Sequence, residues 1–150
     1  MKLLKKDRLN EVTLRFLSRS ANESFARSAA AAFLAQLDPT VEQVYDIKTA
    51  VSEAVTNAIV HGYRDRLGII TLTVRLYAPS VVEIIISDKG CGIENVQQAR
   101  EPMFTTGGAD RSGMGFTIME SFMDGLTVRS SPGKGTTVTL QKVLEGRREV

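Results

Sequence analysis

The sequence predicts an α/β protein, an α+β two-layer sandwich in which a mixed, mostly antiparallel sheet carries helices on one face. Three observations predict it. Two segments with apolar residues at helical spacing each open on a capping-box signature, Ser20-Ala21-Asn22-Glu23 and Thr40-Val41-Glu42-Gln43. An alternating run from Ile70 to Leu76 and a dense β-branched run from Val81 to Ser87 follow, and a second pair of such runs closes the chain. The resulting order is strand, helix, helix, strand, strand, loop, helix, strand, strand, which lets neighbouring strands pair antiparallel while the helices collect on one side.

Val12, Leu14 and Phe16 alternate with polar residues and predict an opening strand. In the first helix Phe25, Ala29, Ala32, Phe33 and Leu37 set the core direction until Asp38-Pro39 stops it. In the second, Val44, Ile47, Val51, Ala54, Val55 and Ala58 form the apolar face, and Gly62 is the expected stop. Ile70, Leu72, Val74 and Leu76 alternate with Thr71, Thr73, Arg75 and Tyr77, so the second sheet face is expected to be partly polar or to serve a dimer. Ala78-Pro79-Ser80 turns the chain into Val81 to Ser87, the expected central strand. Glu101 to Ser112 has no periodicity and predicts a mobile loop, and Phe116 to Met123 a short helix. Leu126 to Arg129 and Thr136 to Leu140, joined by Ser131-Pro132-Gly133-Lys134-Gly135, predict a closing hairpin.

With 150 residues, the chain has the size of one domain able to bury its own core. No segment approaches the roughly 18 consecutive apolar residues of a membrane helix. The basic start Met1-Lys2-Leu3-Leu4-Lys5-Lys6 has no apolar run behind it, so a cytoplasmic protein is expected. The single cysteine, Cys91, gives no internal disulfide and no cluster for a structural zinc. Lys and Arg number 19 against 17 for Asp and Glu, and the excess sits in the termini, which argues for solvated tails rather than a nucleic-acid face.

Chemistry concentrates in a few places. On the second helix Asp46, Glu53, Asn57 and His61 fall on a stripe roughly 110° from the apolar direction. A carboxylate and a carboxamide four residues apart suit Mg²⁺ bridging substrate phosphates, or are simply polar residues at a helix edge. Asp88 ends the dense strand before Lys89-Gly90-Cys91-Gly92; an acceptor held there can take the exocyclic amine of adenine, although Asp and Gly also end ordinary strands. Gly113-Met114-Gly115 precedes a helix, as a phosphate site or a glycine hinge, and Thr105, Thr106, Arg111 and Ser112 before it read as a lid. Gly133-Lys134-Gly135-Thr136-Thr137 returns hydroxyls toward a nucleotide base, forms a type II turn, or does both. His61 reads as structural or as support for the site, since a phosphorelay histidine needs its own dimerisation helix. Cys91 reads as a small turn residue.

Glu53 with Asn57, Asp88 to Gly92, and Gly113-Met114-Gly115 together resemble the split nucleotide pocket of the Bergerat-fold ATPases. Flanking blocks narrow the resemblance: Asn22 to Arg27, Ala35 to Thr40, Ile47 to Tyr63, Phe104-Thr105-Thr106, Arg111 to Glu120 and Lys134 to Val138. From Phe16 to Lys142 the chain is similar to the small serine kinases that act as anti-sigma factors in spore-forming bacteria, the anti-sigma-F group above all. The resemblance implies the Bergerat ATP-binding fold, a homodimer, and binding of ATP or ADP with Mg²⁺. It implies two partners: an RNA polymerase sigma factor of the sigma-F type, kept off the polymerase, and an anti-anti-sigma protein phosphorylated on a serine. Neither nucleic acid nor membrane is among the implied partners.

Carried over by position, Glu53 would be the general base, Asn57 the Mg²⁺ ligand, Asp88 the adenine acceptor, and Gly113 and Gly115 the phosphate cradle. Gly90, Gly92, Thr105, Thr106, Arg111, Ser112, Met114, Phe116 and Thr137 would complete the nucleotide site. Arg27, expected to reach solvent, would meet the partners. Residues 1–10 extend beyond the family's usual start and are expected to be disordered, with 11–143 as one kinase domain and 144–150 as a tail. The lid departs from the family: it is one residue shorter and lacks the lysine and proline that usually follow the two threonines, which leaves Arg111 as its main cation. A detached histidine-kinase catalytic domain and a nucleotide-binding module without transfer activity are the alternative readings.

Overall fold

The computed structural model describes residues 7–101 and 115–144. In chain order the elements are β1 (Arg8–Leu17), α1 (Ala21–Leu34), α2 (Val41–Asn57), β2 (Ile69–Tyr77), β3 (Val81–Asp88), α3 (Val96–Ala99), α4 (Gly115–Phe122), β4 (Gly125–Ser131) and β5 (Gly135–Val143). The strands form one sheet ordered β1-β2-β3-β5-β4, with β3 central as expected. Every pairing among them is antiparallel, so the expected mixed component is not seen in the described strands.

One face of the sheet is covered by helices. Ile70, Leu72, Val74 and Leu76 of β2, Val82, Ile84 and Ile86 of β3, and Val138 and Leu140 of β5 are buried together with Leu34, Ile47, Val51, Val55 and Met119 of the helices. Burying each such side chain contributes about 1.5–3 kcal/mol, so the period-two and 3.6-residue patterns set the layers. The Thr40 capping box forms: Thr40 Oγ1 accepts from the Gln43 N–H at 3.1 Å, and Gln43 Oε1 accepts from the Thr40 N–H at 2.8 Å. The turn Ser131-Pro132-Gly133-Lys134 closes with the Lys134 N–H on the Ser131 carbonyl at 3.0 Å and Gly133 at φ 78°, as a type II turn requires.

Helix α1 differs from expectation in two respects. Its core face is Ala26, Ala30 and Leu34, while Phe25 is 54% exposed and Ala32 lies on the surface. Small residues let α1 sit close to its neighbours, and the larger aromatic rings occupy the flank and the outside. The capping box at Ser20 is not made, because Ser20 already has helical φ −57° and ψ −31° and makes no side-chain cap bond. Asn22 instead anchors the start, its Nδ2 donating to the Leu17 carbonyl at 2.9 Å.

Both expected boundaries move outward. Arg8, Leu9 and Asn10 belong to β1, with the Ala78 N–H donating to the Asp7 carbonyl at 2.8 Å, and Leu144 is buried in the core. The sheet face away from the helices carries three rows in register: Glu11, Arg75, Glu83 and Gln141; Thr13, Thr73, Ile85, Thr139 and Thr127; and Arg15, Thr71, Ser87, Thr137 and Arg129. This is the partly polar second face expected from β2. Glu83, 2% exposed, is held there by Gln141 Nε2 at 3.1 Å and the Arg75 guanidinium at 3.6 Å.

Candidate functional site

A cavity of about 450 Å³ opens between α2, the end of β3 with its following loop, the start of α4, and the β4–β5 hairpin. Helix α2 supplies its long wall. Ile47, Ala50, Val51, Ala54 and Val55 turn toward the core, which leaves Glu53, Asn57 and His61, each four residues on from the last, on the cavity side. Asp46, expected on the same stripe, lies farther up the helix and pairs with Lys142 Nζ at 3.6 Å.

The first residue of α4 stands against that wall. A β-carbon at Gly115 would lie 3.2 Å from Asn57 Nδ2, 3.3 Å from Asn57 Oδ1 and 3.4 Å from Glu53 Oε2. Only glycine lets the backbone come this near to the two polar side chains without displacing them. Phe116 follows as an apolar wall, 8% exposed.

Asp88 forms the other end. Its side chain is 7% exposed and lies over Gly62, where a β-carbon would come within 2.9 Å of Asp88 Oδ1. Burial pushes the Asp88 carboxyl above the usual carboxylate range, and hydrogen bonds from the Gly90 and Thr136 backbone pull partly back. The Gly90 N–H donates to Asp88 Oδ1 at 2.9 Å. The structure therefore holds an acceptor in an apolar setting, favourable to a ligand that brings its own N–H donor.

Three expectations need correction here. Gly62 does not stop the helix: α2 continues through a π turn, Ala58–Tyr63, and Arg64 takes the left-handed φ of 57°. Gly90 is not on the cavity wall; it is stacked on the Gly62 carbonyl, with room for no side chain, and shapes the loop rather than a ligand surface. Thr137 faces the opposite side of the sheet, its Oγ1 3.0 Å from Ser87 Oγ, whereas Thr136 lines the cavity. Successive strand residues point to opposite faces, so the one-residue offset decides which hydroxyl is available.

Gly92 lines the cavity, at φ 76° beneath the Ser131 carbonyl. Cys91 also lines it, its Sγ donating to the His61 carbonyl at 3.0 Å. Thr105, Thr106, Arg111, Ser112, Gly113 and Met114 lie outside the described residues. Wall residues that the sequence reading did not assign to a site include Ile86, Ile93, Pro132 and Val138. The alternation Thr136, Val138, Leu140 was the signal that could have found Val138 and favoured Thr136 over Thr137.

Arg27 does not line the cavity. It leaves α1 on the side facing α2, pairs with Glu23 at 3.1 Å, approaches Ser52 Oγ at 3.5 Å, and with its side chain 38% exposed it reaches solvent. It borders a depression with Val41, Tyr45 and Lys48, where Val41 and Tyr45 are 84% and 63% exposed.

Among the described residues no helix is long and apolar enough to cross a membrane. Residues 16–142 match the family model of the histidine kinase-like ATPase domain. The chain is 54% identical over 136 residues to the anti-sigma F factor of Thermoanaerobacter sp. (strain X514), covering 90% of this chain and 94% of that one. It is 55% identical over 135 residues to the anti-sigma F factor of Geobacillus stearothermophilus, covering 89% and 92%. Among solved structures, the RsbU and RsbW domains of a Mycobacterium tuberculosis protein match at TM-score 0.65 and 20% identity, over 90% of this chain and 32% of that longer one. The mycobacterial sensor histidine kinase MprB matches at TM-score 0.57 and 14% identity, over 91% of this chain and all of that one. The structural likenesses carry the fold alone, and the sequence relatives carry the narrower group: the chain belongs to the histidine kinase-like ATPase family and, within it, to the anti-sigma F factors.

Proposed function

We propose that this chain is an ATP-dependent protein-serine kinase and anti-sigma factor, working in the cytoplasm. With ATP and Mg²⁺ it holds a sporulation sigma factor of the sigma-F type away from RNA polymerase, and it phosphorylates a serine of an anti-anti-sigma protein. The observation that carries the reading is the pairing of two ends in one cavity: the buried Asp88 carboxyl, and Glu53 with Asn57 beside the first residue of α4. The relatives' name supplies the class of partner.

In this reading Asp88 accepts the exocyclic amine of adenine and Thr136, in place of Thr137, offers the nearby hydroxyl. Glu53 takes the proton from the attacking seryl hydroxyl. The Asn57 amide oxygen fits Mg²⁺, a hard cation that takes oxygen ligands, and the ion when bound would neutralise phosphate charge during transfer. The Gly115 backbone at the start of α4 suits the phosphates. The resemblance alone assigns Thr105, Thr106, Arg111, Ser112, Gly113 and Met114 to them.

The homodimer of the reading fits the open sheet face. A two-fold axis running across the strands along the Thr13–Ile85–Thr127 row would set each strand over its own copy, with Glu11 of one copy over Arg15 of the other. Charge complementarity of this kind favours one register of two packed sheets. A one-chain mass in solution would remove the dimer from the reading.

Two assays test the whole. Labelled phosphate from ATP is expected on a serine of the cognate anti-anti-sigma protein, and an unlabelled acceptor leaves a binding module without transfer. Capture of the sigma factor in the presence of ATP is expected to depend on Arg27, whose depression suits an acidic side chain. Arg27→Glu should weaken it by roughly 2 kcal/mol while nucleotide affinity stands. Undiminished capture would return Arg27 to the role of an intrahelical ion pair with Glu23.

A further inference from the structure

The π turn that ends α2 grips the loop after β3. The Arg64 N–H closes the turn on the Ile59 carbonyl at 3.1 Å. Within it the Gly62 carbonyl accepts the Cys91 N–H at 2.8 Å, and the Tyr63 hydroxyl accepts the Lys89 N–H at 2.9 Å. The same hydroxyl donates its proton to the Ile69 carbonyl at 2.5 Å. Tyr63 is 6% exposed, and its ring lies against Gly68, where a β-carbon would come within 2.1 Å of Cε1. The phenol is thus a fixed brace between the first residue of β2 and the residue that follows Asp88. A π turn in an otherwise regular helix commonly marks a functional site, and here the widened turn brings Tyr63 under the Asp88 loop.

We infer that Tyr63 is the positioning residue for the base-recognition carboxylate: by holding the Lys89 N–H it fixes the backbone from which Asp88 meets the nucleotide, and so sets the preference for a purine bearing a 6-amino group. The inference rests on the reading of Asp88 as the adenine acceptor. A carboxylate rewards a donor only within a narrow range of distance and angle. A site built to hydrogen-bond a ligand group rejects the analogue that lacks it, because the buried partner is then left unpaired. Loosening the Lys89 backbone lets Asp88 drift out of that range, which weakens binding of the amine-bearing base and leaves the amine-free base little affected.

Calorimetric titration with ATP and with the triphosphate of purine riboside, which has no 6-amino group, reads this preference in the Mg²⁺ form of the whole chain. Tyr63→Phe keeps the ring on Gly68 and removes one oxygen. Its preference for ATP is expected to fall about tenfold, with the affinity for the amine-free nucleotide unchanged. A preference equal to that of the wild type, or an equal loss for both nucleotides, overturns the inference. Asp88→Asn is titrated alongside. If it retains the wild-type preference, the adenine reading itself fails; if it loses the preference and Tyr63→Phe keeps it, only the brace fails. Should Tyr63→Phe not fold, 3-fluorotyrosine placed at position 63 weakens the phenol as an acceptor without changing its shape, and the same ratio decides.

Discussion

At the Asp88 end of the cavity, position is set by hydrogen bonds to the backbone of one loop: the Gly90 N–H on the carboxylate, the Gly62 carbonyl on the Cys91 N–H, and the Tyr63 hydroxyl on the Lys89 N–H. At the Glu53 end it is set by periodicity: Glu53 and Asn57 are one turn apart on a regular helix whose apolar face is locked into the core. On the proposed reading, the difference shows how a phosphotransfer site would divide its labour. Recognition of a rigid base tolerates no movement and uses fixed backbone. Transfer to an incoming hydroxyl needs side chains that reach a second protein, and a well-packed helix gives them direction without enclosing them.

The comparison makes the two ends separable. Glu53→Gln is isosteric and leaves the Asp88 end untouched, so nucleotide affinity should stay near that of the wild type while phosphate transfer falls about 10²- to 10⁴-fold, the usual worth of a general base. Single-turnover transfer to the acceptor protein measures it. A fall of less than about tenfold would assign the proton to another group. Asp88→Asn should do the converse, lowering ATP affinity by about 100-fold through a donor set against the base's own donor, with the fold intact. Near-normal affinity in calorimetry with ADP and Mg²⁺ would move base recognition elsewhere in the cavity.

The same contrast explains what could be read in the sequence. The shared direction of Glu53 and Asn57 was legible because a helix converts spacing into direction, and the strand-end place of Asp88 because a dense β-branched run must end where the chain turns. The sheet and its closing hairpin were legible for the same reason, since alternation marks the buried face. Helix α1 was misphased because Ala26 and Ala30, its real core residues, carry a weaker signal than Phe25, which is exposed. Both Thr136 and Thr137 were read as returning hydroxyls, and Thr137 was carried to the site although the alternation Thr136, Val138, Leu140 puts Thr136 on the cavity face. The brace at Tyr63 was illegible because Gly62 reads as a helix stop, whereas its small size serves contact with Asp88 and Gly90 across about thirty residues of chain.

The smallest expected effect is a dependence on pH confined to the Asp88 end. Burial raises the folded-state pKa of Asp88 above the ordinary 3.8, so between that value and the raised one the native protein holds a proton that the unfolded chain has released. Stability contributed by this group is therefore fully present below 3.8 and is lost as pH rises through the raised value. Nucleotide binding should run the other way, because the amine of adenine pairs with the ionised form. ATP binding within the window is expected to release a proton, and affinity to rise severalfold to a plateau above it. Calorimetry in buffers of different ionisation enthalpy counts that proton directly. Glu53→Gln should release it as the wild type does, and Asp88→Asn should not. A release that disappears in Glu53→Gln would place the titrating carboxyl at the transfer end and erase the division between the two.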